Sequence, residues 1–571
     1  MEKISRPILW FLAVLVCVVG LAMTYAPRAA AQQPKVIGNA FSNTPLRFDV
    51  SPPLGSLVSL APAANSSHDP HTPRKPKLHG SAPASPSKSA AAPILIGAQV
   101  TATQGLGFAG VDEIGDALDC PILIPGHHHY VPPDTNAAVG DSQIVQWVNI
   151  CYAVFDKSTG AVIAGPFLGT NFWSGFGGPC EANNDGDPII QWDKVNHRWL
   201  AAQNVFNSAT GLNPPYYTCV AVSQTADATG SYFRYQFPQP GFPDYPKWGK
   251  KGNVYYQTQN NFGDNDGFEG VTVCAYQANL MLKGNSKAKQ VCIVDDSNGT
   301  LFDDSMLPAD DDSPGPSNAE VLLGAIDNFL PGDTHVYEYV FTVDFGKPGN
   351  STLAGIDGSM PISVPAFELA LCVQGGALTT NCVPQPTAGP HTDTLDTLGD
   401  RLMYRLAHFS GSNGIQHYVV THSVNDSSGA VGQRWYEFRA KGLGSTSLYL
   451  YQTGQTPADG EYRWMGSAAM DKAGNIALGY SRSSAASGDY PSIYYAGQTA
   501  GDPLGTTESE VLIKQGGGSQ INSVDRWGDY SSMALDGADS CTFWYTTEYY
   551  PRDATRAWAT WIASLKFPNC Q

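Results

Sequence analysis

RWMGSAAMDKAGNIALGYS, from Arg463 to Ser481, joins two short apolar segments through an Asp-Lys-Ala-Gly-Asn turn. The same outline returns in RWGDYSSMALDGADSCTFWYTTEY from Arg526 and in RLMYRLAHFSGSNGIQHYVVTHSV from Arg401. Each copy reads as a strand-start residue, a strand, a Gly/Asp/Asn turn and a second strand. The starts lie 62 and 63 residues apart, about the length of a four-stranded sheet with its loops. Repetition on this scale predicts a propeller or array in which each sheet buries its faces against its neighbours.

Working outward, more divergent units begin at Asp134 (DTNAAVGDSQIVQWVN), Asp187 (DPIIQWDKVNHRWLAAQNVF) and Asp244 (DYPKWGKKGNVYYQT). A further unit is placed near Glu320 in NAEVLLGAIDN. The predicted fold class is therefore an all-β, β-propeller of seven blades over residues 96–571, with six blades as the alternative. Strand segments are rich in aromatic and β-branched residues, and long 3.6-periodic stretches are missing. Trp147, Trp192, Trp199, Trp248, Trp435, Trp464, Trp527 and Trp544 fall on or beside predicted strands, where packing between sheets is their expected role.

Residues 1–31 read as a secretory signal peptide. Lys3 and Arg6 precede the apolar run Ile8–Met23, and Ala29-Ala30-Ala31 offers a small-residue cleavage site. The 16-residue run is shorter than the ~20 residues of a membrane span, so no span is expected after cleavage. Residues 32–95 are rich in Pro, Ser and Ala, which predicts a flexible low-complexity linker. Setting aside Cys17 in the signal leaves ten cysteines, an even number that predicts disulfides in a secreted protein, extracellular, periplasmic or at the cell surface. Cys372 with Cys382 reads as a local loop staple, and Cys541 with Cys570 as a closure of the C-terminus.

Residues 96–571 hold 24 Lys/Arg against 48 Asp/Glu, a net charge of −24. Such a surface disfavours nucleic acid and anionic membranes, and a soluble monomer is expected. The chain has no HExxH, GxSxG or Walker loop, and no GxGxxG in a βαβ context, so these readings lack support.

In a propeller the first strand of each blade lines the channel, and its start lies at one mouth. That places Asp134, Asp187 and Asp244 on one side and Arg401, Arg463 and Arg526 on the other. Converging guanidiniums form a receptor for a carboxylate or phosphate, while the acids opposite could serve as general acid or hold a cation. The competing reading is structural: Asp caps turns at strand starts, and Arg pairs with the neighbouring sheet.

These arginines, together with the turn SQTADATGSYFRY (Ser223–Tyr235), resemble the bacterial sialidase superfamily. The resemblance implies a secreted propeller in which three arginines grip a carboxylate, a tyrosine assisted by a glutamate is nucleophile, and an aspartate is acid. The turn departs from the spacing of that family's S-x-D-x-G-x-x-W box, and no FRIP-like motif is present. Tyr545, Tyr549 and Glu548 follow the last arginine without one of them standing out as nucleophile. The blocks WSGFGGPCEANNDGDP, RWMGSAAMD, RWGDYSSMALD and CTFWYTTEYY also resemble an exported bacterial β-propeller family without an assigned activity.

Calcium is the candidate cofactor. CEANNDGDP (Glu181, Asn183, Asp185, Asp187) and GDNDGFEG (Asp264, Asn265, Asp266, Glu269) each gather oxygen ligands around an Asp-Gly turn, without the EF-hand spacing. An Asx turn accounts for the same residues. His127-His128-His129 sits in a Pro/Gly loop, where adjacent histidines do not converge on one ion. The functional expectation is a channel-mouth site for a glycan or small acidic ligand. A sialidase-like retaining glycosidase and a structural envelope protein are the alternatives.

Overall fold

The structure, a computed structural model, describes residues 33–57 and 102–571 apart from 116–117, 122–130, 207–213, 264–267, 296–302, 311–317, 326–332, 375, 387–393, 412, 443–444 and 522–524. The described chain is all-β. Its strands follow one another as up-and-down antiparallel sheets, because each short aromatic and β-branched segment ends in a Gly- or Asp-containing turn.

The first sheet is Asn136–Val139, Gln143–Val148, Cys151–Asp156 and Val162–Leu168. The second runs from Ile189–Asp193 through Arg198–Phe206 and Tyr216–Ser223 to Tyr232–Gln239, and the next from Phe242–Lys251 to Gln290–Asp295. Leu307–Asp310, Ala319–Gly324, Asp333–Thr342 and Thr352–Ala354 follow. Then come Met403–Ser410 to Tyr449–Gln455, Tyr462–Met470 to Val511–Lys514, and a last sheet of Ser532–Leu535, Thr542–Tyr549 and Ala559–Lys566.

Each sheet's first strand packs beside the first strand of the next, and Ser532–Leu535 returns to lie beside Asn136–Val139. The series therefore closes on itself. Thr103–Ala109 completes the last sheet by pairing antiparallel with Ala559–Lys566, which ties the two ends of the ring together.

Two expectations are corrected. Residues 33–57, assigned to the linker of 32–95, supply three edge strands. Val36–Ile37 pairs with Thr352–Ala354, Phe41–Asn43 with Gln290–Asp295, and Arg47–Val50 with Tyr232–Gln239. Each is two to four residues long, too short to show a strand period, and gains stability by covering an exposed sheet edge. The unit placed near Glu320 begins instead at Leu307, and Glu320 lies in that sheet's second strand. The expected signal and the remainder of the linker, to residue 95, lie outside the described residues.

The eight tryptophans are all buried, six of them at 0–1% exposure and Trp192 and Trp544 at 8% and 7%. Trp464 and Trp527, from consecutive units, meet at 5.5 Å between ring centroids, as packing between sheets requires. The turn at Asp227 clamps two sheets: Gln143 donates to Asp227 Oδ1 at 3.0 Å and accepts from the Ala228 N–H at 2.7 Å. Five disulfides form: Cys120–Cys151, Cys180–Cys219, Cys274–Cys292, and the two anticipated pairs Cys372–Cys382 and Cys541–Cys570. Among the described residues no helix is long and apolar enough to cross a membrane.

Candidate functional site

Where first strands touch they run parallel, as Leu307–Asp310 does with Phe242–Lys251 and Met403–Ser410, so their beginnings gather at one end of the ring. Entry to these strands reuses one backbone device. A residue with positive φ stands two or three residues before the strand at Asp134 (48°), Asp187 (49°), Ser305 (49°) and Asp529 (56°), and at an irregularity three residues inside it at Tyr245 (52°) and Met465 (54°). Asp tolerates this left-handed conformation better than bulkier residues, because its short polar side chain can bond locally.

The device brings carboxylates together. Asp187 Oδ2 accepts the Tyr245 N–H at 3.0 Å, and Asp134 Oδ2 accepts from Asn149 Nδ2 at 3.3 Å. Burial, then the charges of Asp529 and Asp187, pushes Asp134 well above the usual carboxylate range, with Arg526 opposing. Asp244 is raised in the same way, by burial and then by Asp187 and Asp529, against Arg401 and Arg526. Asp529 is raised by burial while Arg526 pulls it down. Asp244 Oδ2 and Asp529 Oδ2 are buried and have no hydrogen-bond partner among the described residues.

Two of the three anticipated arginines reach this mouth, and each holds a carboxylate of the chain itself. Arg401 donates from Nε and Nη2 to Asp400 at 2.8 and 2.9 Å, and its guanidinium lies 4.6 Å from the Tyr245 ring centroid. Arg526 pairs with Asp529 and lies 4.0 Å from Asp396. Arg463 does not join them. It bonds Asp459 and Glu510, with Nη1 at 2.8 Å from Asp459 Oδ1 and Nη2 at 2.8 Å from Glu510 Oε1. Glu510 adjoins the sheet's outer strand, so Arg463 is a tie within its own unit. The three-arginine receptor is thus not assembled.

Lys247 was not anticipated, although it stands in the quoted DYPKWGKK. It is fully buried, with Nζ 3.3 Å from the Tyr245 ring centroid, 4.1 Å from that of Tyr530 and 5.9 Å from that of Tyr404. Burial pulls its pKa down to about 7 against the opposing charges of Asp187 and Asp134. A cation over aromatic faces, beside carboxylates, balances part of their charge from within the chain. Where these first strands finish, at the other end of the ring, lies a cavity of about 50 Å³ with the Arg405–Asp310 ion pair in its wall.

Glu548 is buried and accepts the Gly528 N–H at 2.7 Å. Tyr545 packs on Gly479, and Tyr549 lies 5.2 Å from the Lys514 ammonium, so the tyrosine stacked on Arg401 is Tyr245 instead.

The calcium expectation fares differently at its two loops. In the first, the oxygens diverge. Glu181 accepts from the Gly175 and Gly177 N–H groups, Asn183 donates to the Pro179 carbonyl, Asp185 accepts the Phe206 N–H at 2.9 Å, and Asp187 serves Tyr245. Burial also pushes Asp185 up to about 7. In the second loop Glu269 is exposed, while Asp264, Asn265 and Asp266 lie outside the described residues, as do His127–His129. Among the described residues no three His, Cys, Asp or Glu side chains are placed to hold one metal ion.

No protein-family model matches the chain, and no curated protein matches it. Among solved structures it is similar to the polysaccharide lyase Uly1, at 11% identity over 83% of this chain and 98% of that one, with a TM-score of 0.36. It is also similar to a subtype N10 neuraminidase-like protein of A/little yellow-shouldered bat/Guatemala/060/2010, at 7% identity over 64% of this chain and 94% of that one, TM-score 0.31. Drosophila Semaphorin 1b, extracellular domains 1-2, gives 9% identity over 81% and 88%, TM-score 0.30. Likenesses this remote carry neither fold nor chemistry to this chain, so the reading below rests on its own geometry.

Proposed function

We propose that the chain is an exported β-propeller of seven blades that binds a hydroxyl-rich ligand, a glycan, at the mouth where the first strands begin. Closure of the first-strand series supports the blade count, and the five disulfides with the signal-like N-terminus support export. The observation that carries the ligand class is the pair of buried carboxyl oxygens Asp244 Oδ2 and Asp529 Oδ2, which have no hydrogen-bond partner among the described residues. Buried carboxyl oxygens of this kind call for hydrogen-bond partners, and sugar hydroxyls, which both donate and accept, supply them in number. Arg401 and Arg526 already hold Asp400 and Asp529, which favours a neutral glycan over a carboxylate-bearing one.

The test is titration of the protein from Gln32 onward with neutral oligosaccharides and a sialoside, alongside fluorogenic glycosides, with Asp244→Asn as the variant. Neutral-glycan binding weakened about tenfold or more in the folded variant is the expected result. Preference for the sialoside, or no glycan binding at all, overturns the reading. Turnover lost in Asp244→Asn would extend the reading to hydrolysis, with the raised Asp244 carboxyl as the acid.

A further inference from the structure

At the opposite end of the ring, where Met403–Ser410 and Tyr462–Met470 finish, a groove of about 840 Å³ opens between these two units. Its size falls within the ~300–1,000 Å³ range of small-ligand sites, and its lining mixes polar and aromatic groups. The floor is built around Glu437, 1% exposed, which accepts from His417 Nδ1 at 2.7 Å, Arg439 Nε at 2.5 Å and Gln452 Nε2 at 2.6 Å. Gln452 is fixed in turn, accepting from Gln498 Nε2 at 3.1 Å and from the Gly505 N–H at 3.0 Å.

This network orients one group in particular. Arg439 is held by Glu437 at Nε and lies with Cζ 3.2 Å from the Tyr451 ring centroid. A guanidinium fixed at one edge and stacked on one face presents its remaining Nη groups as a rigid fork. Lys472, exposed on the facing turn, adds a second cation to the groove. The half-exposed face of Tyr451 offers a platform for a sugar ring beside that charge. Glu437 offsets the Arg439 charge and Asp502 also lines the groove, so attraction for an anion is confined to the Arg439 Nη edge and Lys472; in a body of net charge −24 this suits a small anionic ligand better than nucleic acid.

We propose that this groove binds an oligosaccharide bearing a carboxylate or sulfate, with Arg439 gripping the anion and Tyr451 stacking on the adjoining ring. The site is separate from the glycan mouth, and each stands or falls alone.

The test is calorimetric titration of the protein from Gln32 onward with a trigalacturonate, a sulfated tetrasaccharide, a neutral trisaccharide and inorganic sulfate. At least one acidic sugar binds, and the neutral sugar binds about tenfold or more weakly. Arg439→Ala weakens acidic-sugar binding by about tenfold or more, and rising salt weakens it in the wild type. Tyr451→Ala, at a partly exposed position that leaves the fold intact, weakens it several-fold. The trigalacturonate and sulfated arms separate the two anionic groups. The proposal is overturned if neither acidic sugar binds, if neutral sugar or bare sulfate binds as well, or if folded Arg439→Ala and Tyr451→Ala bind like wild type.

Discussion

Asp49→Ala measures how firmly the N-terminal strands belong to the ring. Arg234 is fully buried and faces Asp49 across the strand pair, donating from Nε to Oδ1 at 2.8 Å and from Nη2 to Oδ2 at 2.6 Å. Its Nη1 serves the Phe172 and Ser174 carbonyls at 3.0 Å each, so the guanidinium stays in place when the carboxylate goes. Removing one partner of a fully buried ion pair costs about 3–5 kcal/mol. The Asp49 side chain is 31% exposed, so water replaces part of the lost interaction and the expected cost falls to about 2–3 kcal/mol. Urea unfolding reads this as a lower midpoint at unchanged slope. Limited trypsin digestion adds a local readout, because cleavage after Arg47 accelerates as Arg47–Val50 leaves the edge of Tyr232–Gln239. A variant within about 0.5 kcal/mol of wild type, with Arg47 cut equally fast in both, would refute an integral strand.

Two further outcomes follow from the mouth and the disulfides. With folded pKa values of Asp134, Asp244 and Asp529 raised, the native state keeps protons that the unfolded chain has released. Stability therefore falls as pH rises from about 4 through the folded values, at up to ~1.4 kcal/mol per pH unit per proton. Asp244→Asn makes urea-measured stability between pH 4 and 7 less steep, and an unchanged slope would contradict the assignment. Lys247 acts in the opposite sense: its folded pKa of about 7 lies below the unfolded value, so stability rises above pH 7, and Lys247→Met abolishes that rise. Loop closure assigns about 3–4 kcal/mol to Cys541–Cys570, spanning 29 residues, and about 2–3 kcal/mol to Cys372–Cys382, spanning 10. Urea midpoints of Cys541→Ser/Cys570→Ser and Cys372→Ser/Cys382→Ser in the reverse order would reject that ranking.

Much of the architecture was legible because it rests on local chemistry. Turn residues mark sheet boundaries, tryptophans mark faces that must be covered, and both anticipated disulfides join cysteines near in sequence. Asp134, Asp187 and Asp244 could be placed at one mouth because an acidic residue there also tolerates or caps the sharp entry to a strand. Arg463 misled for a related reason. RWM and RWG look alike as text, but Arg463 stands two residues before the positive-φ residue Met465, whereas Arg526 stands three before Asp529, a one-residue offset that turns a side chain to the other face. That offset sends one guanidinium to the outer strand and the other to the mouth. The edge strands within residues 36–50 were invisible because their partners lie roughly 190 to 320 residues away, and two to four residues show no period.

Repetition of the backbone also accounts for the mouth's asymmetry. One strand-entry position is Asp529, Asp134 and Asp187 in three consecutive units around the ring, then Tyr245 and Ser305, and Met465 in the unit preceding Asp529. The backbone repeat decides where this side chain goes, while its identity varies from unit to unit. Three acids therefore fall on one arc, joined by Asp244, and such a buried group cannot stay fully ionised without counter-charge. Arg526, Arg401 and Lys247 supply part of that charge from within the chain, and the raised pKa values of Asp134 and Asp244 lower the negative charge further. A set neutralised in this way offers hydrogen-bonding oxygens with little net charge. That character, rather than a strong anionic or cationic field, fits the mouth to the hydroxyls of a neutral glycan and leaves Arg439, stacked on Tyr451 at the other end, as the group suited to an acidic one.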